Sequence, residues 1–280
     1  MADKNSITVR HPHFSFDEVS KPGNGHYIAG NSLATHFMNA MHIIVPVGER
    51  FFIRSVKKFS DHVTDPELKK RVKAFIGQEH THDKEHTAFW KVLEKQGLKP
   101  AVFESFFSGT AFGLLEPAMN FLFGDKFGLS ATVALEHMTA FGTANALNPD
   151  SSMLGKMHPE VAELLRWHAV EEIEHKSVAF DVLKEVDDNY FLRIGGFIFA
   201  VTLFQLYGLA GMLLFTFQDP EVSLPKLLED LQEFAELNRR RMSPAWFQEM
   251  FDYFRPDFHP DQNDNYGLIE PYLKKYEQAS

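Results

Sequence analysis

The chain has no cysteine, which excludes disulfides and thiolate metal ligands, so any metal must be held by histidine and carboxylate. Positive charge is also scarce. Lys and Arg number 28 against 38 Asp and Glu, for a formal net charge of −10. Without a basic arm or stripe, nucleic acid is not an expected partner. The opening MADKNSITVR has no apolar h-region, so no secretory signal is expected and the expected compartment is the cytoplasm. The sequence also lacks a glycine-rich nucleotide motif, an alternating strand pattern of useful length and any internal repeat of about 20 to 50 residues.

What is present is a globular composition. Hydrophobic residues make up 44 % and charged residues 24 % of 280 positions, with 28 phenylalanines. That length is ample for a large core. Residues 1–30, with Pro12, Pro22, Gly23, Gly25 and Gly30, read as an irregular N-terminal arm. From Asn31 onward helical periodicity dominates, and 31–280 reads as one all-α domain.

Pro46 is expected to kink or break the first helical stretch. Thr64 as cap and Pro66 in the first turn open a long helix running to Gly97. Residues 101–123 are apolar and Phe-rich, with a break expected near Pro117. Ser130 is a candidate cap for the next helix, which ends in the loop NPDSSM. Pro159 opens a helix expected to reach about Val186, and 190–217 is the most apolar stretch. Ser223 with Pro225, then Ser243 with Pro244, open two more helices.

Two motifs carry chemistry: Glu79-x-x-His82 and Glu172-x-x-His175. Residues i and i+3 share a helix face, so each pair can present a carboxylate and an imidazole to one point. With 22 Glu and 14 His, about one such pair is expected by chance, so the pairs alone say little. Their context says more. Each lies in a long helix beside its apolar stripe, and a neighbouring helix of each carries another Glu among apolar residues: Glu49 in VPVGERFFI and Glu136 in TVALEHMTAF. A buried Glu is costly unless paired or metal-bound. Two halves, each Glu then Glu-x-x-His, joined by a long connection, are what a four-helix bundle needs to place four Glu and two His around two metal ions.

This order resembles the ferritin-like di-iron carboxylate proteins. More closely, PVGERFFIRSV, FIGQEHTHDKEH, WHAVEEIEHKSVAFDV and YFRPDFHPD resemble a bacterial family labelled predicted metal-dependent hydrolases, over about residues 35 to 260. The resemblance implies a ferritin-like four-helix bundle with extra N-terminal, crossover and C-terminal helices. It implies Glu79 and Glu172 as bridging or near-bridging ligands, His82 and His175 as ligands to one metal each, and Glu49 and Glu136 as terminal ligands. The departure is an excess of imidazole. His86 and His168 fall on the ligand faces as extra ligands or as partners that orient a carboxylate, and Glu171 competes with Glu172 by its i,i+4 spacing to His175.

Against the metal site stands a bundle with buried salt bridges to Arg50, Arg54 or Arg166. Several inward Glu and His with few basic partners favour metal. Glu171 and Glu174 are expected mostly on a solvated face, and His36, His42, His80 and His137 as ordinary side chains. Ile194–Phe217 is 24 residues without a charge. A buried or dimer-interface helix is favoured there, ahead of a membrane-surface contact and of a lining for an apolar substrate tunnel. The Arg run at 239–241 reads as a solvated helix end.

The expected cofactor is two Fe ions, with Mn/Fe, Mn or Zn as alternatives. The leading expectation is an O2-dependent oxidase or oxygenase acting on a small apolar substrate, with a separate protein as electron donor. A hydrolase using the dinuclear site to activate water is the first alternative. A non-catalytic metal-binding or membrane-associated helical protein is the second.

Overall fold

The computed structural model describes residues 7–147, 154–241 and 244–277. The loop NPDSSM and the cap Ser243 lie outside the described residues. Among the described residues there is no β-strand, and the fold is all-α. Residues 7–30 form turns and one isolated bridge between Ile28 and Met157.

Helix α1 spans Ser32–Phe59. Asn31 caps it by accepting from the Ala34 N–H, and Lys57 and Lys58 lie in the last turn, where the helix dipole favours positive charge. Contrary to expectation, Pro46 does not break it. A mid-helix proline leaves the carbonyl four residues earlier without its donor. Here that carbonyl belongs to His42, and the Trp90 indole N–H donates to it at 2.7 Å. The side chain replaces the missing backbone donor, and the helix runs on.

Helix α2 spans Pro66–Lys95. Its cap is Asp65, one residue after the expected Thr64, with Pro66 in the first turn. Helix α3 (Pro100–Thr110) passes through a π-helical turn, Ala111–Leu115, into α4 (Glu116–Phe123). Pro117 therefore sits in the first turn of α4, where its missing N–H costs nothing. Gly124, at φ 79°, turns the chain into α5 (Asp125–Leu147). That helix starts earlier than expected. Ser130 is inside it, donating to the Leu192 carbonyl at 2.7 Å rather than capping.

The expected helix 159–186 is two helices, α6 (Pro159–His175) and α7 (Val178–Val186). The break falls at Lys176 and Ser177, where the buried Lys176 ammonium is drawn to the Asn263 carbonyl and the Asn265 side chain. Then follow α8 (Tyr190–Gln218), α9 (Leu224–Arg241), α10 (Pro244–Asp252) and α11 (Glu270–Glu277).

Helices α1 and α2 pair, as do α5 and α6, and α8 lies across α1 and α5. The arm covers the opposite side. Phe14 meets Trp167 of α6 and Phe16 meets Phe89 of α2, with ring centroids 5.5 and 5.1 Å apart. Two apolar clusters fill the interior, one around Ile43, Phe89, Trp167 and Phe215, the other around Phe52, Phe75, Leu129 and Val182.

Candidate metal centre

Between the helices lies a group of ionisable side chains. Glu49 comes from α1, Glu79 and His82 from α2, Glu136 from α5, and His168, Glu172 and His175 from α6; all are buried. His82 Nδ1 faces Glu49 Oε1 at 3.5 Å, Glu172 Oε1 at 3.8 Å and Glu79 Oε2 at 4.0 Å. His175 Nε2 faces Glu79 Oε1 at 3.1 Å, Glu136 Oε2 at 3.3 Å and Glu172 Oε2 at 3.7 Å. Glu79 and Glu172 each turn one oxygen to each imidazole. His168 joins the first group, with Nε2 at 3.0 Å from Glu172 Oε1 and Nδ1 at 4.0 Å from Glu49 Oε1. Ligand atoms of Glu49, His82, His168 and Glu172 lie within 4.8 Å of one another, as do those of Glu79, Glu172 and His175.

These residues fit cations on a direct observation. Both carboxylate oxygens of Glu49, Glu79 and Glu136, together with Glu172 Oε2, His82 Nδ1 and His175 Nε2, are buried without a hydrogen-bond partner. Leaving one buried polar atom unpaired costs about 1–3 kcal/mol, more if it is charged. Here the orphaned atoms all point into one space, and oxygen and nitrogen donors suit Fe, Mn or Zn.

Electrostatics agree. Burial, with mutual repulsion added, pushes the Glu49 and Glu79 carboxyls well above the usual range, and burial raises Glu136. Burial also opposes ionisation of Glu172, but the His175 and His168 imidazoles outweigh it and hold that carboxyl well below its ordinary value. Burial opposes the charged form of His175 too, yet Glu172, Glu136 and Glu79 raise it well above 6.5. Glu49, Glu79 and Glu136 thus lack enough positive charge, which cations would supply.

The outer nitrogens of the two central histidines are tied to the arm. His82 Nε2 lies 3.2 Å from Glu171 Oε2, and His175 Nδ1 lies 2.9 Å from Gln78 Oε1. The Gln78 amide is fixed by its Nε2, which donates to Glu174 Oε2 and to the Thr8 carbonyl. Each histidine can therefore donate outward from one nitrogen and keep the other free for the centre. Glu171 and Glu174 converge on Arg10, which donates to Glu174 at 2.7 and 2.8 Å and to Glu171 at 3.3 Å. The Trp167 indole also donates to Glu171, at 3.2 Å.

This corrects the expectation that Glu171 and Glu174 face solvent: they are 0 and 6 % exposed. Glu171 lies beyond His82 rather than beside Glu172 in the cluster. The expected competitors Arg50, Arg54 and Arg166 stay away from the centre, paired with Asp83, Glu116 and Glu163. His86 lies outside the cluster, in a chain of imidazoles. His86 Nε2 is 3.1 Å from His168 Nδ1, and His86 Nδ1 is 2.9 Å from His42 Nδ1. Burial, then the neighbouring imidazoles, hold His86 well below 6.5, and burial with His168 lowers His42 to about 3, so both are neutral. Sequence reasoning missed Arg10, Gln78 and Trp167. Gln78 adjoins Glu79 and could have been weighed; nothing in the arm marks Arg10.

A separate trio, His26, His36 and Asp219, lies between the arm and the ends of α1 and α8. Tyr27 donates to Asn39 Oδ1, which orients the Asn39 amide toward His36 Nδ1. His36 then carries its proton on Nε2 and donates to Asp219 at 2.9 Å, with His26 Nε2 at 2.7 Å. This is a hydrogen-bonded clasp.

On the side away from the arm, a cleft opens to solvent; its space, with the solvent at its mouth included, is about 880 Å³. Glu49 and Glu172 reach its floor, and its walls are Phe-rich. A second apolar cavity reaches His86 and His168 and shares Val45, Thr139 and Phe204 with the first.

Fold and site together define an all-helical protein with a buried carboxylate–imidazole cluster suited to metal ions. The chain belongs to the family described as predicted metal-dependent hydrolase, whose model matches residues 8–264. No curated protein matches it, and no solved structure does.

Proposed function

We propose that this protein is a dinuclear metal-dependent hydrolase of a small, apolar organic substrate. The observation that carries the reading is the orphaned ligand set at the floor of an apolar cleft. The order of Glu49, Glu79/His82, Glu136 and Glu172/His175 along paired helices supports a ferritin-like bundle around that set. One ion would be held by Glu49 and His82, the other by Glu136 and His175, with Glu79 and Glu172 shared; His168 stands beside the first side with its Nε2 left for proton transfer.

Two bound cations would supply Lewis-acid activation of water and of a polarised substrate oxygen. The chain's own residues do the rest. The Phe-rich walls bind the apolar body of the substrate and exclude bulk water. Glu49 and Glu172 orient the reacting end at the floor. His168 Nε2, beside Glu172 Oε1, takes the proton released when water oxygen bonds to the substrate's electrophilic carbon. It returns that proton to the leaving group as the bond between that carbon and the leaving group breaks, and the neutral His86 steadies it from behind.

The family description favours hydrolysis over the oxidase expectation. A second reading, O2-dependent oxidation by two Fe ions with an external electron donor, is favoured by one feature: a carboxylate-rich ligand set facing an apolar cavity. Metal reconstitution separates the two. Zn- or Mn-loaded protein is expected to hydrolyse acyl esters or amides without O2. About two Fe per chain, an absorption change on adding O2 and no anaerobic turnover with any metal would sink hydrolysis.

A further inference from the structure

The outer surface over the cleft is unusual. Helix α8 presents Ile198, Leu206, Leu209, Leu213 and Phe217 to solvent, spaced three, four or eight apart and so on one stripe. The α3–α4 segment runs antiparallel beside it. Phe103 meets Phe215, Phe107 meets Tyr207, and Phe123 meets Phe127, which in turn meets Phe199. That segment exposes Val102, Phe106, Leu114, Phe121, Leu122 and Phe123, with Phe121 89 % exposed. Between Glu104 and Asp125 its one ionisable group is Glu116, neutralised by Arg54 at 3.0 Å. Soluble monomers rarely expose contiguous apolar patches of more than a few hundred Å².

The seam between these two elements is also the mouth of the cleft. Phe112 and Met119 line it from one side, Phe199 and Leu203 from the other. The exposed apolar surface therefore continues inward to Glu49 and Glu172, past the polar side chains Glu116, paired with Arg54, and Asn120.

Helix α8 is long and apolar enough to cross a membrane, with a mean hydropathy of 2.0 over an 18-residue window, but its inner face is committed. A Cβ at Gly211 would come within 2.6 Å of Ala40 Cβ, and one at Gly196 would collide with Ser130. The helix is locked against α1 and α5 and can offer only its outer stripe. A second copy of the chain seated there would cover the mouth of the cleft. A bilayer would instead leave the mouth open to hydrocarbon, where an apolar substrate partitions.

We propose that α3, α4 and the outer stripe of α8 rest in one leaflet of a phospholipid bilayer, and that the cleft takes a lipid acyl chain sideways from that leaflet. The docking half rests on the surface alone; the substrate half rests on the hydrolase reading.

The full-length, metal-loaded protein is tested by flotation with phosphatidylcholine vesicles at low and high salt. It floats at both, because apolar burial and not charge drives binding. The triple variant Leu114→Ser, Phe121→Ser, Leu122→Ser keeps its metal content and melting temperature and loses about a hundredfold in partitioning. No flotation of the parent protein overturns the proposal. So does a parent dimer in size exclusion with light scattering that the triple variant converts to monomer without any flotation. For the cleft, a fluorescent fatty acid binds the parent protein, and Met119→Trp, which blocks the mouth, abolishes that binding while flotation persists. Retention of the probe by Met119→Trp overturns the acyl-chain site. Loss of turnover alone, with flotation and probe binding intact, counts against the hydrolase reading and leaves docking standing.

Discussion

The two sides of the cluster are built on opposite principles. On the arm side, Glu171, Glu174, Gln78, Trp167 and Arg10 form a connected polar network with named donors and acceptors. On the α8 side, the cluster meets phenyl rings and empty space. The first side fixes tautomers and holds histidines in place; the second leaves room for something to approach. A site that must be both rigid and accessible separates the two demands by face. Low-dielectric surroundings make the polar network costly to break and the apolar face cheap to alter.

The comparison yields a graded set of expectations. Glu172 belongs to both groups of ligand atoms, so Glu172→Ala should reduce bound metal from about two ions per chain to near zero, measured by elemental analysis. Retention of one ion would show that the halves are independent. Arg10→Ala leaves Glu171 and Glu174 buried without their cation. It should cost about 3–5 kcal/mol in urea unfolding and about 10- to 100-fold in metal affinity. Affinity unchanged at reduced stability would mean the arm only staples the fold. Trp90→Phe removes the donor to the His42 carbonyl at Pro46 and should cost about 1 kcal/mol, with backbone exchange rising around residues 42–46. On the opposite side, Phe121→Ser, at the most exposed ring of that face, should change stability in vesicle-free buffer by less than about 0.5 kcal/mol. A large loss there would mean the face is structural rather than open.

Much of this was legible in the sequence. Helical periodicity and the missing strand pattern reach the all-α class, and the paired Glu-x-x-His motifs with Glu49 and Glu136 reach the residues that converge in the centre. What escaped lies in long-range contacts. Arg10 meets Glu171 across 161 positions, and nothing local in an irregular arm announces it. Its absence from the reading misplaced Glu171 and Glu174, which look solvated while no cation is in sight. Pro46 failed as a breaker because a side chain 44 residues further on repairs the ladder. Thr64 and Ser130 are good capping residues displaced by a neighbour or by a helix start that tertiary packing moved, a common fate of weak local signals.

Trp167 gives the centre an optical handle. Its ring stands 4.9 Å from the His82 imidazole, nearly perpendicular, and it is fully buried. Its indole donates to Glu171, which holds the central His82. A paramagnetic ion bound by His82 should therefore quench a short-wavelength emission that Zn²⁺ leaves bright. Filling of the site, and the class of ion that fills it, can then be followed by fluorescence in intact protein before any substrate is known.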